Sequence, residues 1–157
     1  MKLIKALILD FNRTLFDPNR LKIGKDSYKL LQLAKEKGWK LALISIGNED
    51  REQQIKPILN YFDFVRIVRK KSVKDFEYLV KIMGTNCSNT LVIGDQIKSE
   101  IKIGNILGME TIWLQKGKFS GEFPEEGNEL EEPSFTFSSL SEIIRFLKAK
   151  ELEDNTK

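Results

Sequence analysis

The constraint that most limits how this chain can fold is its strict alternation of two hydrophobic periods. Short, nearly continuous apolar runs, "LIKALILD" (3–10), "LALISI" (41–46), "FVRIV" (64–68), "TLVIGD" (90–95) and "ETIWLQ" (110–115), read as strands covered on both faces. Between them, "DSYKLLQLAKEKG" (26–38), "EDREQQIKPILNYF" (49–62), "VKDFEYLVKIMG" (73–84) and "KSEIKIGNILG" (98–108) place apolar residues three or four apart, the spacing of a helix with one buried stripe. Ser72 followed three residues later by Asp75 resembles a capping box. Gly38, Gly84 and Gly108 stand where left-handed helix C-caps belong, and Pro57 should kink or split the second helix. The pattern predicts an α/β fold: an open, parallel, Rossmann-like sheet of about five strands with helices on both faces.

Ligands in such sheets sit beyond the carboxyl ends of the strands, and Asp10, Ser45 and Asp95 each fall at or just past a strand end. One cleft could gather all three. Beyond the fifth strand, 116–134 is rich in Gly, Pro and Glu and reads as a long mobile loop; a last helix is expected over 139–151. The expected organisation is a single core domain over 1–150 with a frayed tail at 151–157.

Composition narrows the chemistry. The 157 residues contain no histidine and one cysteine, Cys87, which rules out Ser-His-Asp and Cys-His triads, the usual zinc sites and an internal disulfide. A formal net charge of +3, with acids interleaved among the lysines and arginines, leaves no nucleic-acid or membrane footprint. No signal-like or membrane-spanning stretch stands out, so the expected location is cytoplasmic.

Four segments in register with these strands carry a resemblance. "LILDFNRTL" is similar to the first motif of the haloacid dehalogenase (HAD) superfamily, an apolar strand followed by Asp-x-Asp-x-Thr. "LALIS" resembles the second motif, "RKKSVKDFEYLVKIMG" the third with its lysine ahead of a helix, and "LVIGDQIKSEIKIGNILGMETIWL" the fourth, with Gly-Asp and a further acid. The likeness runs from about Leu3 to Leu114. It implies a Mg²⁺-dependent hydrolase acting on phosphate esters or acyl phosphates through an aspartyl-phosphate.

Each position also has a physical reason. An aspartate at the end of a central strand, near backbone amides and a cation, can stay ionised and attack phosphorus, which makes Asp10 the nucleophile; the plain alternative is a turn residue. Two strand-end acids invite a hard cation, so Asp95 joins Asp10 as a metal ligand, with Glu100 helping through water. The resemblance adds the main-chain carbonyl of Asn12 as a ligand. Ser45 would donate a hydrogen bond to the phosphoryl group, and a lysine would offset its charge. Lys70, two residues before the expected N-cap, matches the family spacing; Lys71 is the alternative, and a solvated basic patch competes with both. Thr14 is expected to order the turn through backbone bonds, and Arg13 either to meet substrate or to point to water, with water favoured.

Asn12 stands where phosphatases of the superfamily carry the aspartate that protonates the leaving group. It keeps the shape but cannot exchange a proton, a loss worth roughly 10²–10⁴-fold in rate. Substrates with good leaving groups would suffer least. The short segments between motifs leave no room for a cap domain, so a large substrate, an oligomeric neighbour or loop 116–134 would have to complete the cleft. Expected partners are a phosphorylated small molecule or macromolecule, and a homo-oligomer is compatible with the sequence. Two other readings stay open: a non-catalytic phosphate- and metal-binding regulatory module, and, less favoured, dehalogenase-type chemistry.

Overall fold

The computed structural model describes the backbone of residues 3–155 and side chains through residue 150. Six parallel strands form the main sheet, in the order β5-β4-β1-β6-β7-β8: β1 (Ala6–Asp10), β4 (Lys40–Ile46), β5 (Phe64–Val68), β6 (Thr90–Gly94), β7 (Glu110–Leu114) and β8 (Phe135–Phe137). The helices are α1 (Lys25–Glu36), α2 (Arg51–Ile55), α3 (Val73–Met83), α4 (Lys102–Ile106) and α5 (Leu140–Asn155). Between β1 and α1 lies a two-stranded antiparallel hairpin, β2 (Phe16–Asp17) with β3 (Lys22–Ile23).

Alternation within the strands sorts side chains into two cores. Leu7 and Leu9 of β1, Leu41 and Leu43 of β4, and Leu91 and Ile93 of β6 pack under α1 and α5. Ala6, Ile8, Ala42, Ile44 and Val92 face Phe76, Leu79, Val80 and Met83 of α3. Apolarity on both faces is what a parallel sheet with two helical layers requires, and it accounts for the nearly unbroken hydrophobic runs.

The expected α/β fold is present, with one more strand than expected. Three residues are too few to show a period, which hides β8; its register is held by pairing Ile112 with Phe135 and Leu114 with Phe137, and both phenylalanines stack on Phe146 of α5 at 4.6 and 5.1 Å. The capping box forms, with the Ser72 side chain accepting from the Asp75 amide and Asp75 accepting from the Ser72 amide. Gly38, Gly84 and Gly108 have positive φ as anticipated. Pro57 ends α2, and a 3₁₀ turn over Lys56–Tyr61 continues in its place. The fourth predicted helix opens instead with a wide π turn over Ile97–Ile101, in which Ser99 leaves helical geometry (φ −118°, ψ −106°).

Segment 116–134 differs from the expected mobile loop. It contains two 3₁₀ turns, Glu131 is buried and paired with Lys102, Glu125 pairs with Lys98, and Phe123 meets Trp113 edge-on. Three of its acids, Glu122, Glu125 and Glu131, read from composition as solvating, tether it to the π turn and α4. Helix α5 continues to Asn155, while the expected frayed tail at 151–157 lies otherwise outside the described residues and side chains. Among the described residues no helix is long and apolar enough to cross a membrane.

Candidate active site

Strand β1 is central: the chain winds outward from it through β4 and β5 on one side, then crosses to β6 on the other. At such a switch point the strand ends splay and leave a crevice. The three strand ends deliver Asp10, Ser45 and, just past β6, Asp95 to one place, all three buried.

Asp10 is held from both sides. Its Oδ1 accepts from Lys71 Nζ at 2.5 Å and its Oδ2 from Thr14 Oγ1 at 3.0 Å. Lys71 is also buried and donates to Glu100 Oε2 at 3.1 Å. Burial alone would weaken the ammonium, but the carboxylates of Asp10 and Glu100 outweigh it and raise Lys71 above the usual lysine value, so it remains a cation. Lys70, by contrast, is exposed. Of the two lysines it is Lys71, the alternative, that lies beside Asp10: the bend after β5 turns the residue directly before the Ser72 cap inward, and spacing alone gives no direction to a non-repetitive bend.

Glu100 is fully buried and already engaged. Its Oε1 accepts from the amides of Asp95 and Gln96 at 3.0 and 3.1 Å, closing the turn after β6, while Oε2 faces Lys71. Both oxygens thus have protein partners, and Glu100 also belongs to the carboxylate group in which the sequence suggested a metal helper through water. The π turn is what swings Glu100 back under the strand end, and the space exists only because residue 94 is glycine. A Cβ there would lie 2.2 Å from Glu100 Cγ.

Asp95 sits deepest in charge terms. Burial, then the carboxylates of Asp10 and Glu100, push it up to about 7 against the pull of Arg13. Its main-chain carbonyl accepts from Trp113 Nε1 at 3.0 Å and its Oδ2 from Arg13 Nε at 2.8 Å, but Oδ1 is buried without a hydrogen-bond partner. An orphaned buried carboxylate oxygen is costly. Ligand oxygens of Asp10, Asp95 and Glu100 all lie within 4.8 Å of one another. An all-oxygen donor set with one unsatisfied oxygen fits a hard divalent cation, with Asp10, Asp95 and Glu100 offering the carboxylate oxygens that could hold it.

Three other residues behave differently from expectation. Thr14 bonds the Asp10 carboxylate; the turn itself is closed by backbone bonds onto Phe11 O from the amides of Thr14, Leu15 and Phe16. Arg13 does not point to water. It adopts φ 63°, spans to Asp95 and lies over the Phe119 ring at 4.8 Å. Left-handed backbone costs a non-glycine residue about 1–2 kcal/mol, and no period or spacing in the sequence announces it. Arg51 was missed altogether: it is buried, donates to Ile46 O at 3.1 Å and Gln54 Oε1 at 2.8 Å, and its guanidinium lies 5.2 Å over Phe11. A charged residue opening the helix after a strand-end serine was the available signal. Ser45 Oγ makes only a 3.1 Å bond to the next carbonyl, which leaves it free to turn to a ligand, and Asn12 is half-buried at the mouth.

The haloacid dehalogenase-like hydrolase family matches residues 4–108, a span that contains Asp10, Asn12, Arg13, Thr14, Ser45, Arg51, Lys71, Asp95 and Glu100. The chain belongs to that family. Over 125 residues it is 27% identical to a glyceraldehyde 3-phosphate phosphatase of Pyrococcus abyssi, covering 74% of this chain and 52% of that protein. Over 109 residues it is 29% identical to the Bacillus subtilis protein named "Probable phosphatase YqeG", covering 69% of this chain and 63% of the relative. The chain thus spans little more than half the length of these two relatives. A HAD phosphatase from Thermococcus onnurineus shares the fold with a TM-score of 0.77 at 14% identity, covering 92% of this chain and 98% of the other.

Proposed function

We propose that this chain is a Mg²⁺-dependent, capless phosphohydrolase that works through an aspartyl-phosphate on Asp10, with acid/base function weakened by Asn12. The observation that carries this reading is the Asp10 carboxylate, fixed by Lys71 at 2.5 Å and Thr14 at 3.0 Å beside the unsatisfied Asp95 Oδ1. The relatives' phosphatase names support the same reaction class. A bound Mg²⁺ would neutralise phosphate oxygens and orient the phosphoryl group.

The chain's own residues do the rest. Lys71 holds Asp10 in one rotamer and offsets the charge that gathers as an Asp10 oxygen bonds to phosphorus and the ester P–O bond breaks. Ser45 and Lys71 donate to the phosphoryl oxygens. The departing alkoxide must take its proton from water, because the Asn12 amide can donate a hydrogen bond but not release a proton. Water then attacks phosphorus and frees the Asp10 carboxylate. Aryl and acyl phosphates, whose leaving groups need no proton, should turn over best.

The test is Mg²⁺-dependent hydrolysis of an aryl phosphate. Asp10→Asn should abolish it, and Asn12→Asp should raise turnover of alkyl phosphates roughly 10²–10⁴-fold. Absence of turnover in both the parent and Asn12→Asp across metals and pH would reject the reading. A second reading, a phosphate- and metal-binding regulatory module, is favoured by Asn12 together with Arg13 standing on Asp95. It predicts tight binding of phosphate analogues and no burst of leaving group.

A further inference from the structure

A cavity of about 510 Å³ opens beside the catalytic cluster, walled by the β2–β3 hairpin, the N-terminus of α1 and the start of segment 116–134. Arg13 and Thr14 line it and also bond Asp95 and Asp10, so it adjoins the acid cluster across these two side chains. Six cationic side chains line it, Arg13, Arg20, Lys22, Lys25, Lys116 and Lys118, against two acids.

The two acids are occupied, and Asp17 Oδ2 pairs with one of the six cations, Arg20 Nε, at 3.9 Å. Asp17 Oδ1 accepts from the amides of Asn19 and Arg20, and Asp26 lies 4.0 Å from Lys29 on the next helical turn. Among the described residues, no carboxylate lies within 4 Å of the ammonium groups of Lys22, Lys25 or Lys116. Like charges converging on a concave surface repel one another, and a concave low-dielectric wall focuses their field on whatever enters. The backbone adds to this: α1 begins at Gly24 without a side-chain cap, and its first residues line the same cavity. The hairpin that brings Lys22 into the wall passes through a left-handed Leu21 (φ 53°), and Arg13 is held left-handed too. A merely solvated lysine surface, such as that around Lys81, has neither the concavity nor the strained supports.

We propose that this cavity is a subsite for a second anionic group, and that the substrate is a small phosphate ester carrying a further phosphate or carboxylate. This rests on the reading of Asp10 as the group that meets the scissile phosphate. The scissile group would sit at Asp10, the substrate body would pass Arg13, and the second anion would reach Lys25 and Lys116. Arg13, in contact with Asp95 and stacked on Phe119, marks the boundary between the two.

Calorimetric titration of the full chain with Mg²⁺ present, using glycerol 3-phosphate, 3-phosphoglycerate and 2,3-bisphosphoglycerate, tests this. The bisphosphate should bind about tenfold or more tighter than glycerol 3-phosphate, equivalent to about 1.4 kcal/mol or more. A gain with 3-phosphoglycerate assigns the subsite to carboxylates as well; a gain only with the bisphosphate assigns it to phosphate. The double variant Lys25→Gln, Lys116→Gln should shrink the margin to about twofold, whereas Lys81→Gln, the same kind of charge change elsewhere, should keep it. Equal affinity for the three compounds, an unchanged margin in the double variant, or equal loss in Lys81→Gln would overturn the proposal. Tight bisphosphate binding with no aryl phosphate turnover in either the parent or Asn12→Asp would sink the hydrolase reading and leave the subsite standing. Turnover without a bisphosphate preference would do the reverse.

Discussion

Asp75 and Asp95 are both buried carboxylates that accept from an arginine Nε, yet their surroundings differ in kind. Asp75 is saturated: Arg66 Nε donates to Oδ1 at 2.7 Å, and the Ser72 amide and hydroxyl donate to Oδ2 at 3.0 and 2.8 Å. Burial opposes its charge, but these bonds outweigh burial and hold it below the usual carboxylate range. Asp95 has one donor on Oδ2, none on Oδ1, and two neighbouring carboxylates that lift it to about 7. One acid is spent on holding α3 in place. The other is left incomplete, as a site awaiting a cation is.

The pH dependences should therefore have opposite signs. Asp75, depressed, contributes stability that is present above its unfolded value and is lost as pH falls through its lower folded value. Asp95, raised without metal, makes the folded protein hold a proton that the unfolded chain releases, so metal-free stability falls as pH climbs from about 4 to about 7.

The largest effect should come from removing the cation between the two acids of the site. Lys71→Met leaves Asp10 and Glu100 buried and unpaired and should cost about 3–5 kcal/mol in urea unfolding. A loss below about 1 kcal/mol would mean that the lysine is not buried between them. Next, Asp95→Asn should stabilise the metal-free protein by about 1–3 kcal/mol near pH 8, because it removes an unsatisfied charge. The same change should abolish the rise in melting temperature that Mg²⁺ gives the parent. Destabilisation by Asp95→Asn without metal would erase the contrast with Asp75. Asp75→Ala should cost about 1 kcal/mol above pH 6 through loss of the cap, with the difference from the parent shrinking below pH 4. Smallest of all, Lys70→Ala should lie within about 0.5 kcal/mol of the parent and leave aryl phosphate turnover intact.

How far the sequence carried depends on whether a feature is periodic. The five longer parallel strands, the two-faced core and the capping box at Ser72 follow from repeats of two or 3.6 residues and from local chemistry, and all are present. Asp10, Ser45 and Asp95 were legible because strand ends in a parallel sheet share one edge. What escaped has no period. Strand β8 is three residues long, each hairpin strand is two, and the choice between Lys70 and Lys71 depends on a bend. Arg13 depends on a positive φ, and Glu100 on a π turn that shifts its direction without altering the apolar spacing. Segment 116–134 misled through composition, since glutamates that suggest a solvated loop are here paired with Lys98 and Lys102.

The bond from Trp113 Nε1 to the Asp95 carbonyl has a practical consequence. An indole buried against the main chain of a candidate ligand, with Phe123 on its edge, is an intrinsic optical reporter of that position. The other tryptophan, Trp39, is packed in the core under α1 and α5, so replacing it with phenylalanine leaves a single tryptophan, beside Asp95. Ion or phosphate arrival at this cleft can then be followed in real time by emission, with no label attached and no turnover required.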